Sequence, residues 1–373
     1  MTNWQYVCER CGHVEALEAV VWRCPTCGGA FGLSGAPVLD PTMLPPAERT
    51  LWRYEALLPV TRAQAATLGE GMTPLVAGRL AGRPVWFKLD ALLPTGSFKD
   101  RGAAVLVALL RRLGLRRLIV DSSGNAAAAM SGYSAAGGLE CTVFAPAATS
   151  PAKLTQSRAF GATVVLVDGN REAVAQAAQD AAAADPTAFY ASHNWHAVFV
   201  EGVKTWALEV WEQLGGRSPA ATFVPTGGGS ALVGGRRGFD AVPATLPQLI
   251  AAQPAACAPI LAAFTGRAAD IAPVTPGVTL AEGTRIGAPA RGRQILSALR
   301  DSGGWVEAVA EEQIAAALRE LFGQGLYVEP TAAIAAAACR AAIERGAAPE
   351  GDLVVLLTGS GLKATETLGA LLM

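Results

Sequence analysis

Between residues 84 and 359, short apolar runs alternate with stretches of helical pattern. PVWFKLD, RRLIVDSS, LECTVFAP and ATVVLVDG read as strands, as do ATFVPTG, PQLIAAQ, GWVEAVA and LVVLLTG. Helical patterns run from Phe98 to Leu113, through NAAAAMSGYSAAGG, from Pro151 to Phe160 and from Arg171 to Ala184. Apolar runs this short, interleaved with helices, predict α/β layers built on mostly parallel sheets. No internal repeat of about 20–50 residues is present, which argues against a solenoid.

The chain has 373 residues, room for two or three domains. A hydrophobic share of 51% and a charged share of 16% argue against disorder. Much of that apolar content is alanine, a strong helix former, so the positive mean hydropathy does not imply a membrane protein. The alanine-rich run Thr331–Ala342 contains Arg340 and is too short to span a bilayer. A formal net charge of −1 lacks the basic excess of a nucleic-acid binder. The opening MTNWQYVCER has no basic stretch leading into an apolar one, so the expected address is cytoplasmic, with no membrane association.

Four of the seven cysteines, Cys8, Cys11, Cys24 and Cys27, fall within the first thirty residues. CERC, twelve residues, then CPTC-GG makes two C-x-x-C knuckles. Four thiolates at about 2.3 Å complete a closed tetrahedral zinc shell, which is structural because no position is left for a substrate. Metal binding contributes on the order of 10 kcal/mol and substitutes for a core too small to fold alone. The rival reading is a pair of redox-active C-x-x-C motifs; two knuckles followed by Gly-Gly fit a zinc ribbon better. The expected organisation is a ribbon at 1–35, a linker or arm at 36–70 and a catalytic core at 71–373. Within the core a smaller lobe spans about 105–195.

Four segments at strand–helix junctions carry the chemistry. In PTGSFKDRG, Lys99 follows a turn and opens a helix, where a positive field and partial burial suit an amine that condenses with an aldehyde. In SSGN, Ser122, Ser123 and Gly124 offer hydroxyl and amide groups for an anion, and Asn125 can hydrogen-bond a phenolic or carboxylate oxygen. In PTGGGS, Gly227, Gly228 and Gly229 let backbone N–H groups converge on a phosphate ahead of Ser230. It lacks the Gly-Lys-Ser/Thr of a nucleotide P-loop. In LLTGSGLK, Thr358 can present a hydroxyl to a ring nitrogen. Each piece alone is also an ordinary turn. Together they supply an amine, a phosphate cradle and two ring partners.

This set resembles the fold-type II pyridoxal-phosphate (PLP) enzymes, of tryptophan synthase β-like fold, and most of all the threonine synthase family. The matching pieces are EGMTPL (70–75), TGSFKDRG (95–102), SSGN (122–125), HNW (193–195) and EGVKT (201–205). The glycine loop, TRIGAP (284–289), EPTAA (329–333) and LTGSGLK (357–363) complete the match. The resemblance implies two α/β lobes plus a small zinc ribbon. It implies that Lys99 binds pyridoxal 5′-phosphate covalently, Asn125 meets its O3′, Gly227–Ser230 hold its phosphate, Thr358 faces its ring nitrogen and Phe98 packs beside the ring. The SSGN loop is implied to grip the substrate carboxylate. Dimers are common in this fold, so a homodimer is expected.

For the threonine synthase reaction, O-phosphohomoserine and water give threonine and phosphate. A leaving phosphate calls for cationic and hydrogen-bonding groups, and the candidates are Lys153, Arg158, Asn194, Lys204 and Arg285. Two features depart from that family. Ala126 stands where threonine usually follows the loop asparagine, and the loop reads GGGS as in threonine dehydratases. The alternative is therefore a β-elimination or β-replacement enzyme, dehydratase-like or cysteate synthase-like, acting on threonine, serine or O-phosphoserine.

Overall fold

The computed structural model describes residues 4–372. Three short strands open the chain, β1 (Gln5–Cys8), β2 (Val14–Ala16) and β3 (Phe31–Ser34), and a hairpin follows, β4 (Leu75–Leu80) and β5 (Arg83–Lys88). Next come α1 (Lys99–Arg112), β6 (Arg117–Asp121), α2 (Asn125–Gly137), β7 (Glu140–Pro146), α3 (Pro151–Ala159), β8 (Thr163–Val167), α4 (Arg171–Ala184) and β9 (Ala188–Tyr190). Helices α5 (Ala197–Val203) and α6 (Thr205–Gln213) precede β10 (Ala221–Pro225), α7 (Ser230–Asp240), β11 (Gln248–Pro254), α8 (Pro259–Thr265) and α9 (Gly292–Asp301). The chain ends with β12 (Trp305–Val309), α10 (Glu311–Phe322), α11 (Pro330–Glu344), β13 (Leu353–Leu356) and α12 (Thr365–Leu372).

Two compact units result. The first joins residues up to Gly71 to Lys99–Val203, and the second joins Met72–Phe98 to the chain from Lys204 onward. The first unit carries a parallel sheet ordered β8-β7-β6-β9, with Ile119, Phe144, Val174, Ala178 and Tyr190 in one core cluster. Its antiparallel sheet β2-β1-β3 bears the first cysteine. The segment expected as an arm is not a bare tether, since its Leu51, Trp52, Tyr54 and Leu57 are buried. Glu70 ties this segment down. Its buried carboxylate accepts from Trp52 Nε1 (2.8 Å), Tyr133 Oη (3.0 Å), Thr67 Oγ1 (3.1 Å) and the Leu68 N–H (2.7 Å). Four donors offset the cost of taking that charge out of water.

The second unit holds a six-stranded sheet, β12-β11-β10-β13-β5-β4, parallel except for the β4–β5 hairpin. Helix α11 is the alanine-rich run, and Ala332 through Ala338 are buried with Ile334 in the core over this sheet. Methyl side chains let its backbone lie close to the strands, so the composition serves packing and not a membrane. No helix among the described residues is long and apolar enough to cross a bilayer.

One buried charge pair holds the entry to this sheet. Lys88 Nζ donates to Glu209 Oε2 (2.6 Å), to the Thr73 carbonyl (2.7 Å) and to Gln213 Oε1 (2.9 Å). Glu209 also accepts from the N–H groups of Met72 (2.8 Å) and Thr73 (3.2 Å). Both charged side chains are fully buried. Lys88→Met should therefore cost about 3–5 kcal/mol, since it strands a buried carboxylate. Denaturant unfolding measures this, and a loss below about 1 kcal/mol, the range of a surface pair, would contradict it.

Candidate active site

Lys99 is the first residue of α1, in the first unit, and is half-buried. Two glycines let α1 and α5 come together. A Cβ on Gly102 would strike the Phe199 ring, and one on Gly202 would strike the Arg101 carbonyl. That closeness puts Lys99 Nζ 5.6 Å from the Phe199 ring centroid. The His193 ring lies 5.8 Å from the same centroid, edge-on. Asp100 and Arg101 behind the lysine are fully buried.

In the sequence His193 belongs to the HNW motif, with no role of its own. Burial first, then the positive charges of Lys99 and Arg171, hold its imidazole well below its ordinary pKa, so it is neutral at physiological pH. Nothing in its local sequence signals this, because the three causes come from burial, α1 and α4.

The SSGN turn also lies in this unit. It follows β6 and opens α2, with Ser122 buried, Ser123 and Asn125 half-buried and Gly124 exposed. The Gly124 N–H reaches Ser122 Oγ at 3.4 Å. Ala126 is buried in the first turn of α2. Asn194 is half-buried in the turn between β9 and α5, beside His193. Lys153 and Arg158 are exposed, in the first and last turns of α3.

The second unit carries the other candidates. The glycine loop follows β10 and leads into α7. Gly229 has φ +88°, and a Cβ there would strike Ile295, while a Cβ on Gly227 would come within 2.8 Å of Thr284 Cα. Only glycine satisfies both demands. The amides of the first turn of α7 have no intrahelical acceptors, which makes the loop and helix start an anion cradle. Ser230 is buried at that start. Lys204 is fully buried, immediately before α6, and Arg285 is exposed with its guanidinium on the Pro276 carbonyl (3.2 Å).

Thr358 lies two residues beyond β13, and its carbonyl accepts from the Phe98 N–H (2.9 Å), while Ser97 and Gly359 form an antiparallel bridge. The residue preceding Lys99 is thus fixed in register with Thr358. Thr358 Oγ1 is buried and has no hydrogen-bond partner among the described residues. An unmet buried hydroxyl is costly unless a ligand completes it. This orphan hydroxyl and the glycine cradle fit the ring nitrogen and phosphate of pyridoxal phosphate.

The four cysteine Sγ atoms lie within 4.8 Å of one another. Contacts of 3.4 Å (Cys8–Cys27) and 3.6 Å (Cys11–Cys24) join the two knuckles into one cluster, unlike two separate dithiols. Burial acts to raise the Cys24 thiol, but the N–H groups of Cys27 and Thr26 outweigh it and bring its pKa down to about 6. A thiolate in a four-sulfur cluster fits a tetrahedral metal ion.

These features define a cofactor enzyme of the pyridoxal-phosphate class, and the family described as pyridoxal-phosphate dependent enzyme matches residues 66–359. The threonine synthase of Methanocaldococcus jannaschii is 31% identical over 95% of this chain and 92% of its own length. That of Methanosarcina acetivorans is 30% identical over 96% of this chain and 92% of its own. The chain belongs to the pyridoxal-phosphate-dependent threonine synthase family. The fold recurs in threonine deaminase isoform 2 of Solanum lycopersicum, with a TM-score of 0.70 at 22% identity, covering 90% of this chain and 97% of that one.

A neutral His193 has a pH consequence. Its folded-state pKa lies below the ordinary 6.5, so the unfolded chain binds a proton that the folded chain refuses. The stability it contributes is whole above about pH 6.5 and is lost as the pH falls below that value, at up to about 1.4 kcal/mol per pH unit. His193→Gln should flatten this acid limb in unfolding midpoints taken from about pH 7 to 5. An unchanged slope would mean that His193 is already protonated in the folded protein.

Proposed function

We propose that this enzyme converts O-phosphohomoserine and water to threonine and phosphate. The observation that carries the reading is the threonine synthase likeness, 31% identity over 95% of the chain. When bound, pyridoxal phosphate supplies an electron sink for the pair left by the departing α-proton. Lys99 binds the cofactor through its amine and, once released by the substrate amine, takes up and returns that proton. Asn125 holds the cofactor's O3′, Gly227, Gly228, Gly229 and Ser230 hold its phosphate, Thr358 Oγ1 meets its ring nitrogen, and Phe98 packs beside the ring. Ser122, Ser123 and Gly124 receive the substrate carboxylate.

For the substrate phosphate, Asn194 is the favoured contact, because it neighbours His193, whose imidazole feels the Lys99 charge. Lys153 and Arg158 stand on an exposed helix and reach a ligand only if it extends to α3. Lys204 acts from a fully buried position. A second reading, β-elimination or β-replacement on threonine, serine or O-phosphoserine, is favoured by Ala126, a buried methyl beside Asn125 where a hydroxyl would assist phosphate chemistry. The working form is a homodimer in the cytoplasm that acts on a small amino acid and binds no nucleic acid.

Phosphate and threonine release from O-phosphohomoserine, measured beside deamination of threonine and serine, decides between the readings. Turnover of O-phosphohomoserine alone supports the first, and ammonia from threonine or serine without phosphate release rejects it. Lys99→Ala should reduce any of these rates by about 10²–10⁴-fold or more and remove the cofactor's absorbance band.

We assign the four cysteines to one structural zinc ion, held in a closed shell that takes no part in the reaction. Metal analysis under reducing conditions should find one zinc per chain, reduced in Cys8→Ser along with the stability of the N-terminal module. Protein that holds no zinc under these conditions, with Cys8→Ser as stable as wild type, would remove this assignment.

A further inference from the structure

We propose that Trp22, on the four-cysteine module, is a positioning residue for the turn from Ala191 to His196, so that this turn is ordered only while the module is intact. The inference rests on the reading above, in which Asn194 of this turn meets the substrate. All the groups concerned belong to the first unit.

The module grips the turn at both ends. The Trp22 ring stands edge-on to Tyr190 at 4.8 Å and to Trp195 at 5.6 Å. From β1 of the same module, Tyr6 stands edge-on to His196 at 5.9 Å. The residues between these grips include His193 and Asn194, and His193 packs on Phe199, the ring that Lys99 Nζ also approaches. Within the turn, the N–H groups of Trp195 (3.1 Å) and His196 (3.0 Å) both go to the Ser192 carbonyl, while at its ends the Ala191 N–H goes to the Ile119 carbonyl (2.8 Å) and the His196 carbonyl accepts from the Phe199 N–H (3.2 Å).

Trp22 has no secondary structure of its own to hold it. It lies in a bend two residues before Cys24, whose N–H is bonded to the Gly29 carbonyl (2.9 Å) inside the second knuckle. The knuckle therefore sets where the indole stands. A cavity of about 410 Å³ borders Trp22, Tyr190, Gln176 and Gln179, giving the ring room to leave its seat when the knuckle loosens. On its other side the half-buried ring packs against the core cluster that contains Tyr190.

The test compares wild type, Trp22→Ala and Trp22→Phe, each loaded with pyridoxal phosphate and zinc, by hydrogen exchange at the amides of residues 191–196 and by steady-state kinetics. Trp22→Ala should keep its cofactor absorbance and zinc content, exchange these amides about tenfold faster, and raise KM for O-phosphohomoserine about tenfold with kcat within about twofold. Trp22→Phe should restore most of both, since it keeps an edge-to-face ring. Wild type stripped of zinc should show the same faster exchange over these residues. Should Trp22→Ala fail to fold, Trp22→Leu carries the same comparison. Unchanged exchange in the folded variant overturns the proposal, as does a kcat loss at constant KM. If wild type does not turn over O-phosphohomoserine, the reaction assigned above fails, and the exchange measurement still decides the positioning role.

Discussion

The register between the chain before Lys99 and the end of β13 is the constraint on which the site depends. Leu357 donates to the Lys88 carbonyl, Ala91 to the Leu357 carbonyl, Phe98 to the Thr358 carbonyl and Ser360 to the Gly96 carbonyl. Lys363 Nζ adds a bond to the Thr95 carbonyl (2.8 Å). One such bond is worth only about 1 kcal/mol net. A series of them, continuing the parallel β5–β13 pairing at Lys88 and turning antiparallel at Ser97, allows a single alignment, because a slip by one residue would break all of them. The alignment decides where α1 begins, and hence which residue, Lys99, stands at its N-terminus.

Each unit also holds one buried carboxylate at the EGMTP motif. Glu70 is held by Trp52, Tyr133, Thr67 and Leu68 within the first unit. Glu209 holds the Met72 and Thr73 amides within the second and is neutralised by Lys88. Charges this deep add little net stability over apolar groups, but they fix geometry, because misplacing any partner leaves a charge unmet. The motif is a structural junction, and its residues need touch no substrate to be required.

The strands legible in the sequence were those with a continuous apolar run, whether central and buried like β10 or at an edge and unburied like β8. RRLIVDSS, LECTVFAP, ATVVLVDG and ATFVPTG all contain the observed strands, with ends differing by a residue or so. Beyond the short strands β1–β3 around the cysteines, the missed ones were β4, a sheet-edge strand with Gly78 inside it, and β9, only three residues long. Neither offers the apolar run that a sequence reading needs. The site was legible where glycine, serine and threonine gather at strand ends, since loop chemistry is local. The pairings 88 with 209 and 193 with 99 and 171 were not, because burial and charge proximity arise only when distant elements pack. The zinc knuckles were legible as spacing, but the seat of Trp22 was not, since it depends on which strand the module packs against.

The module's small size explains why it works through aromatic contacts. Its sheet has strands of four, three and four residues, and its buried apolar side chains are few, chiefly Trp4, Tyr6, Leu17, Phe31 and Leu33. A core this small cannot hold a surface loop by area alone. Rings reach further than aliphatic side chains, and edge-to-face geometry is directional. Trp22 and Tyr6 therefore turn the fixed positions of a few backbone atoms around the cysteines into a fixed position for Tyr190, Trp195 and His196. The four-sulfur cluster supplies the rigidity and the aromatic pairs carry it outward. That division predicts which changes are silent. Exposed residues of the knuckles away from Trp22, such as Thr26, can vary, while an aromatic ring at position 22 must be kept.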